Sequence, residues 1–144
     1  MRIAIGNDHR GYELKLKIVE WLKSQGYEVT DVGAFSEESA DYPDFAAKVA
    51  KAVAQGQAER GVLICGTGIG MSMSANKMPG IRAALVYKPE YAALTRMHND
   101  ANVLCLGEMN GDDLNMEVLK VFMGTQFEGG RHQRRIDKIQ GRCC

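Results

Sequence analysis

The chain has 144 residues and a mass of 15.8 kDa, the size of one ordinary domain, in which about 68% of the unfolded surface can be buried around a single core. A composition of 45% hydrophobic and 25% charged residues with only three prolines excludes disordered, collagen-like and mini-protein classes. Eighteen basic residues balance eighteen acidic ones, so no global field draws nucleic acid or an anionic membrane, and any anion site has to be local.

Short apolar runs rich in β-branched residues alternate with longer stretches of helical period, the pattern of βαβ units. Arg2 to Gly6 (RIAIG) predicts the first strand. Tyr12 to Gln25 follows as a helix with Leu14, Ile18, Trp21 and Leu22 on one face, stopped by Gly26. Tyr27 to Val32 is the second strand. After the polar loop GAFSEESADY, Pro43 and Asp44 suit a first helical turn, and apolar spacing continues from Phe45 to Gln55. Gly61 to Cys65 (GVLIC) is the third strand, followed by the turn GTGIG and a short helix from Met71 to about Lys77. Arg82 to Val86 is the fourth strand, Pro89 to about His98 a helix, and Val103 to Leu106 the fifth strand. Asp112 or Asp113 is expected to cap a helix running to about Gly124, and a basic helix starts at Arg131.

Strands as continuously apolar as GVLIC require cover on both faces of the sheet. The expected fold is therefore α/β: a three-layer α/β/α, Rossmann-like domain spanning residues 1–144, with a five-stranded parallel sheet and a basic C-terminal helix. Ligands in such folds bind beyond the carboxyl ends of the strands, which directs attention to Asn7-Asp8-His9-Arg10, to Cys65 through Gly70, and to Gly107.

In CGTGIGMS, glycines 66, 68 and 70 let backbone N–H groups converge on an oxyanion, and Cys65 beside them could act as base or nucleophile. A buried cysteine at a strand end before a tight turn would read the same way. The stretch is neither an NTPase phosphate loop, since no Gly-Lys-Ser or Gly-Lys-Thr occurs, nor a dinucleotide fingerprint, since Met71 stands where the last glycine belongs. A phosphatase loop would need an arginine at that same position. Asp8 and His9 lie at the functional sheet edge, and the strand-end rule favours a functional role over the alternative in which Asp8 simply caps the helix near Tyr12 and His9 is solvated. His98 ends the fourth predicted helix, where it could shuttle a proton or simply interact with the helix dipole. The tail RHQRRIDKIQGR carries a net charge of +4, with Arg131 and Arg135 on one helical face. The alternative for that tail is a solvated basic helix; nucleic-acid contact is disfavoured because no aromatic residues interleave the charges.

Cys65, Cys105, Cys143 and Cys144 give neither a disulfide framework nor paired zinc knuckles, so a reducing compartment is expected. Cys105 reads as core, and Cys143 and Cys144 as frayed chain end. The N-terminal apolar run is too short for a signal peptide, and nowhere do 18 apolar residues follow one another. The expectation is a soluble cytoplasmic protein without membrane or nucleic-acid partners. His9, His98 and His132 have no recognisable ligand spacing, so no catalytic metal and no cofactor are expected.

Taken together, GNDHRG, DYPD (Asp41 to Asp44), ICGTGIGMSMSANK, RMHNDANVL and FEGGRHQRR resemble the ribose-5-phosphate isomerase type B and galactose-6-phosphate isomerase family, from Arg2 to about Ile139. The resemblance implies metal-free interconversion of ribose 5-phosphate and ribulose 5-phosphate through an enediolate. It implies Cys65 as general base, Gly66, Gly68, Ile69 and Gly70 in a backbone anion hole, and Thr67 as a hydroxyl exchanging protons with the sugar oxygens. His98 would open the furanose ring with help from Asp8. His9, Arg131 and Arg135 would hold the phosphate, while Tyr42 and Asn99 would touch the sugar. A subgroup with a glutamate base carries it where Met71 stands here, so the chain resembles the cysteine subgroup. The resemblance also implies a homodimer or tetramer with a shared active site, His98 and Asn99 facing the loop of another subunit. Allose 6-phosphate or galactose 6-phosphate as substrate, or a noncatalytic sugar-phosphate-binding regulator, are the alternatives; a thiol-redox role lacks a CxxC partner for Cys65. Arg134 and the Cys143-Cys144 ending have no assigned role.

Overall fold

A computed structural model describes residues 1–141; Arg142, Cys143 and Cys144 lie outside the described residues. Five strands, β1 (Arg2–Asn7), β2 (Glu28–Asp31), β3 (Arg60–Cys65), β4 (Ala83–Leu85) and β5 (Val103–Gly107), form one all-parallel sheet in the order β2-β1-β3-β5-β4. The helices are α1 (Tyr12–Ser24), α2 (Tyr42–Ala54), α3 (Ile69–Ala75), α4 (Pro89–Asn99), α5 (Asp112–Gly124) and α6 (Arg131–Gln140).

The period-2 geometry of the strands sorts their side chains into two cores. Ile3, Ile5, Val62, Ile64, Leu104 and Leu106 face α1 and α5, where Leu14, Ile18, Val118 and Phe122 meet them. Ala4, Leu63, Cys65, Val103 and Cys105 face the other way, onto Ala46, Val49 and Ala50 of α2 and Met71 and Ala75 of α3. The expected α/β/α layering is thus observed, and the central strands are buried along their whole length as parallel strands covered on both faces must be.

Two local expectations are corrected. Neither Asp112 nor Asp113 caps α5: Gly111, at φ +89°, turns the chain one residue earlier, so both acids fall in the first turn and Asp112 pairs with Lys17 instead. The short helix starts at Ile69 and not at Met71, because Gly68 at φ +80° completes the reversal inside the glycine turn. Beyond β2, the fully buried Lys15 donates to Ala34 O at 2.5 Å and lies 3.1 Å from an Asp31 carboxylate oxygen, pinning the start of the loop that leads to α2.

Candidate active site

The strand order reverses between β1 and β3, since β2 lies outside β1 and β3, β5 and β4 follow on the other side. That reversal opens a crevice at the carboxyl ends of β1 and β3, the place where open α/β sheets bind ligands. Asp8 N donates to Ile64 O at 3.1 Å, tying the two strand ends together. Asp8 Oδ1 accepts from the N–H groups of Arg10 (2.9 Å) and Gly11 (3.2 Å), so the capping alternative is what this oxygen does, for a 3₁₀ turn (His9–Gly11) that leads into α1. His9 is partly exposed, and its Nδ1 accepts from Ala40 N at 3.2 Å. With Nδ1 as acceptor, the neutral ring carries its proton on Nε2.

Cys65 is 5% exposed, and its Sγ accepts the Gly68 N–H at 3.1 Å. Thr67 Oγ1 accepts the Ile69 N–H at 3.2 Å. The loop is pressed against its neighbours tightly enough to explain Gly68 and Gly70. A Cβ on Gly70 would stand 2.6 Å from the Tyr42 ring, so the phenol rests directly on the loop. A Cβ on Gly107 would meet Thr67 O at 2.6 Å. Met109 N donates to Gly66 O (3.0 Å), which anchors the loop to the turn after β5, and the buried Asn115 Nδ2 of α5 donates to Gly107 O (2.8 Å), which holds the end of β5 itself. Two features here had no signal in the sequence. The Arg10 guanidinium lies over Gly66, where a Cβ would be 3.7 Å from its Cζ, and pairs with Glu108 at 3.1 Å. Cys105, read as core, is fully buried, and burial raises its thiol pKa well above the ordinary range.

A second group gathers at the end of α4. Asp100, at φ 45°, ends the helix; its carboxylate contacts Arg96 at 2.8 Å and Arg82 at 3.5 Å, and Arg82 Nε also donates to Asn99 O at 3.0 Å. These contacts fix the backbone that carries His98 and Asn99. The His98 ring stacks on His132 of α6, with centroids 4.3 Å apart and planes 13° apart. Sequence spacing concealed this pairing, because the two rings come from helices separated by β5 and α5. Arg131 and Arg135 are exposed on the same helix as His132. Among the described residues, no hydrogen bond or ion pair joins His98 or Asn99 to Asp8, His9 or the Cys65–Gly70 loop. The contacts thus link Asp8 and Tyr42 to the Cys65–Gly70 end of β3 on one side, and His98 to the helix that carries Arg131 and Arg135 on the other.

The His132 pKa is lowered from 6.5, first by burial, then by the charges of Arg131 and His98, with Glu128 opposing. A depressed folded-state value means the unfolded chain binds the proton more readily. The stability contributed by neutral His132 is thus complete above pH 6.5 and is lost as pH falls from there through the folded-state value. An NMR titration of the His132 ring is expected to give a midpoint below 6.5; a midpoint at or above 6.5 would mean that Glu128 outweighs burial and the neighbouring cations.

A parallel sheet with a cysteine-glycine loop and strand-end polar residues at its switch point defines a small-molecule enzyme of the open α/β class. Residues 3–139 match the Ribose/Galactose Isomerase family model. The chain belongs to that family and is an isomerase. It is 48% identical over 139 residues to Ribose-5-phosphate isomerase B of Escherichia coli K12, covering 96% of this chain and 93% of that one. The structure of Clostridium thermocellum Ribose-5-Phosphate Isomerase B superposes with a TM-score of 0.96 at 51% identity, covering 98% of this chain and 96% of that one. Ribose-5-phosphate Isomerase B from Mycoplasma genitalium, solved with bound Ribulose-5-phosphate, gives a TM-score of 0.94 at 47% identity, covering 97% and 94% respectively.

Proposed function

We propose that the chain interconverts ribose 5-phosphate and ribulose 5-phosphate without a metal, Cys65 acting as the base. The Cys65 thiolate takes the C2 proton of the ring-opened aldose, and the electron pair moves through C1 to its carbonyl oxygen, giving an enediolate. Backbone amides of the Gly66–Gly70 loop stabilise that oxygen as charge develops. Thr67 carries a proton between O1 and O2, and the Cys65 thiol returns its proton to C1, so that no net proton, electron or co-reactant is consumed. The observation that carries this reading is the Gly68 N–H aimed at Sγ, since a donor on the sulfur stabilises negative charge there. His98, helped by Asp8, opens the furanose. His9, with its Nε2–H available, joins Arg131 and Arg135 on the phosphate, while Tyr42 and Asn99 hold the sugar.

In this reading residues 1–144 act as one domain in the cytoplasm, and the two groups complete each other across subunits of a homodimer or tetramer. The exposed Tyr87, Tyr91 and Leu94, which follow edge strand β4 and offer apolar surface to a second subunit, support a shared site. Complementation tests it. Chains carrying Cys65→Ala and chains carrying His98→Asn are each slow alone. Co-expressed, they pair at random into dimers of which half are mixed, and each mixed dimer holds one undamaged site, so activity rises to about a quarter of wild type. Activity no higher than the average of the two separate variants would show that each site is built within one chain.

A further inference from the structure

His98, Glu128 and His132 bring one ligand atom each to within 4.8 Å of one another, from the end of α4, the turn before α6 and the first turn of α6. Glu128 N donates to Met97 O at 3.1 Å, which holds that turn against α4. His132 is 4% exposed, and its Nε2 is buried without a hydrogen-bond partner; Glu128 Oε2 lies 3.3 Å away but outside hydrogen-bonding geometry. A buried imidazole nitrogen left unpaired beside a carboxylate and a second imidazole brings three metal-ligating donors together.

We propose that this cluster binds a divalent first-row transition ion such as Zn²⁺ or Co²⁺, and that the ion inhibits the isomerase by occupying His98. Two imidazole nitrogens and one carboxylate oxygen favour these borderline ions over Mg²⁺ or Ca²⁺, which prefer sets made of oxygen alone. Three protein donors also leave a fourth tetrahedral position open to water or a substrate oxygen. Metal–nitrogen bonds of about 2.0–2.1 Å place tetrahedral donors about 3.3 Å apart, the separation His132 Nε2 and Glu128 Oε2 already have, so His98 has to close by at most about 1.5 Å. Stacked rings direct their in-plane lone pairs nearly parallel, so one ring has to turn; His98, partly exposed, is the one with room to do so. The binding half of the proposal stands on this geometry alone. The inhibitory half rests on the proposed role of His98.

The test is a Co²⁺ titration of the full chain carrying Cys143→Ser and Cys144→Ser, followed by the visible ligand-field absorption. The expected result is one Co²⁺ per chain with no sulfur-to-cobalt charge-transfer band, lost in His132→Asn. Glu128→Gln, which alters an exposed side chain and leaves the backbone contact to Met97 intact, weakens Co²⁺ binding by about tenfold or more, since even changes outside the ligand set cost that much. No ligand-field band, a charge-transfer band, or equal affinity in Glu128→Gln would overturn the site. In a parallel assay Zn²⁺ slows isomerisation of ribose 5-phosphate, and Glu128→Gln requires about tenfold more Zn²⁺ for the same effect. Binding without inhibition would overturn the inhibitory half and leave the site. Failure of the chain to isomerise ribose 5-phosphate would leave the titration unaffected, so the two readings fail separately.

Discussion

Replacing Cys65 by alanine lowers kcat for isomerisation by about 10²–10⁴, the range a positioned general base supplies, while KM stays within a few-fold. The asymmetry follows from where the sulfur sits. Cys65 is nearly closed off at the end of β3, its Sγ already held by the Gly68 N–H, and it is no part of the groups proposed to grip the phosphate. Its loss removes an interaction made in the transition state and leaves ground-state binding in place. Steady-state kinetics on purified Cys65→Ala checks this. A kcat within a few-fold of wild type would remove Cys65 as the base, and a KM rise with kcat intact would make it a binding residue.

Gly68→Ala is expected to damage both stability and turnover. At φ +80° an alanine is strained, and its Cβ would stand 2.6 Å from Leu85 Cδ1, 3.0 Å from Leu106 C and 3.1 Å from Leu106 O. Two of those atoms are backbone of a central strand and cannot move aside. Strain and overlap together cost about 2–4 kcal/mol of folding free energy. Displacing residue 68 also turns its N–H away from Sγ, so kcat falls in whatever protein folds. Gly80→Ala separates the two causes, because Gly80 has φ +86° with nothing within 4 Å of a Cβ, and only the strain of about 1–2 kcal/mol applies. Urea unfolding of both variants measures the difference. Equal losses would mean that the packing of Gly68 against β4 and β5 does not matter.

The strands were legible because burial on both faces leaves runs such as GVLIC without a polar interruption, and the glycine loop because its three glycines follow such a run directly. From these, the strand-end rule led to Asp8, His9 and Cys65, all of which the structure gathers at the β1–β3 reversal. What stayed hidden depends on backbone angles or on long-range packing. The start of α3 turns on Gly68, and the start of α5 on Gly111; both adopt positive φ, which glycine permits but does not announce. The stacking of His98 on His132 depends on α6 returning to the end of α4, a tertiary event with no periodicity. Strand-end position and helix capping both fit Asp8 in the sequence; the structure shows one oxygen capping, which leaves the second oxygen of a buried carboxylate for chemistry.

The most direct measurement of the central claim is the formation of ribulose 5-phosphate from ribose 5-phosphate by the purified chain after exhaustive chelation. Turnover that persists without metal is the predicted result. No ketose from ribose 5-phosphate, or turnover that disappears with the chelator and returns with an added ion, would contradict the account.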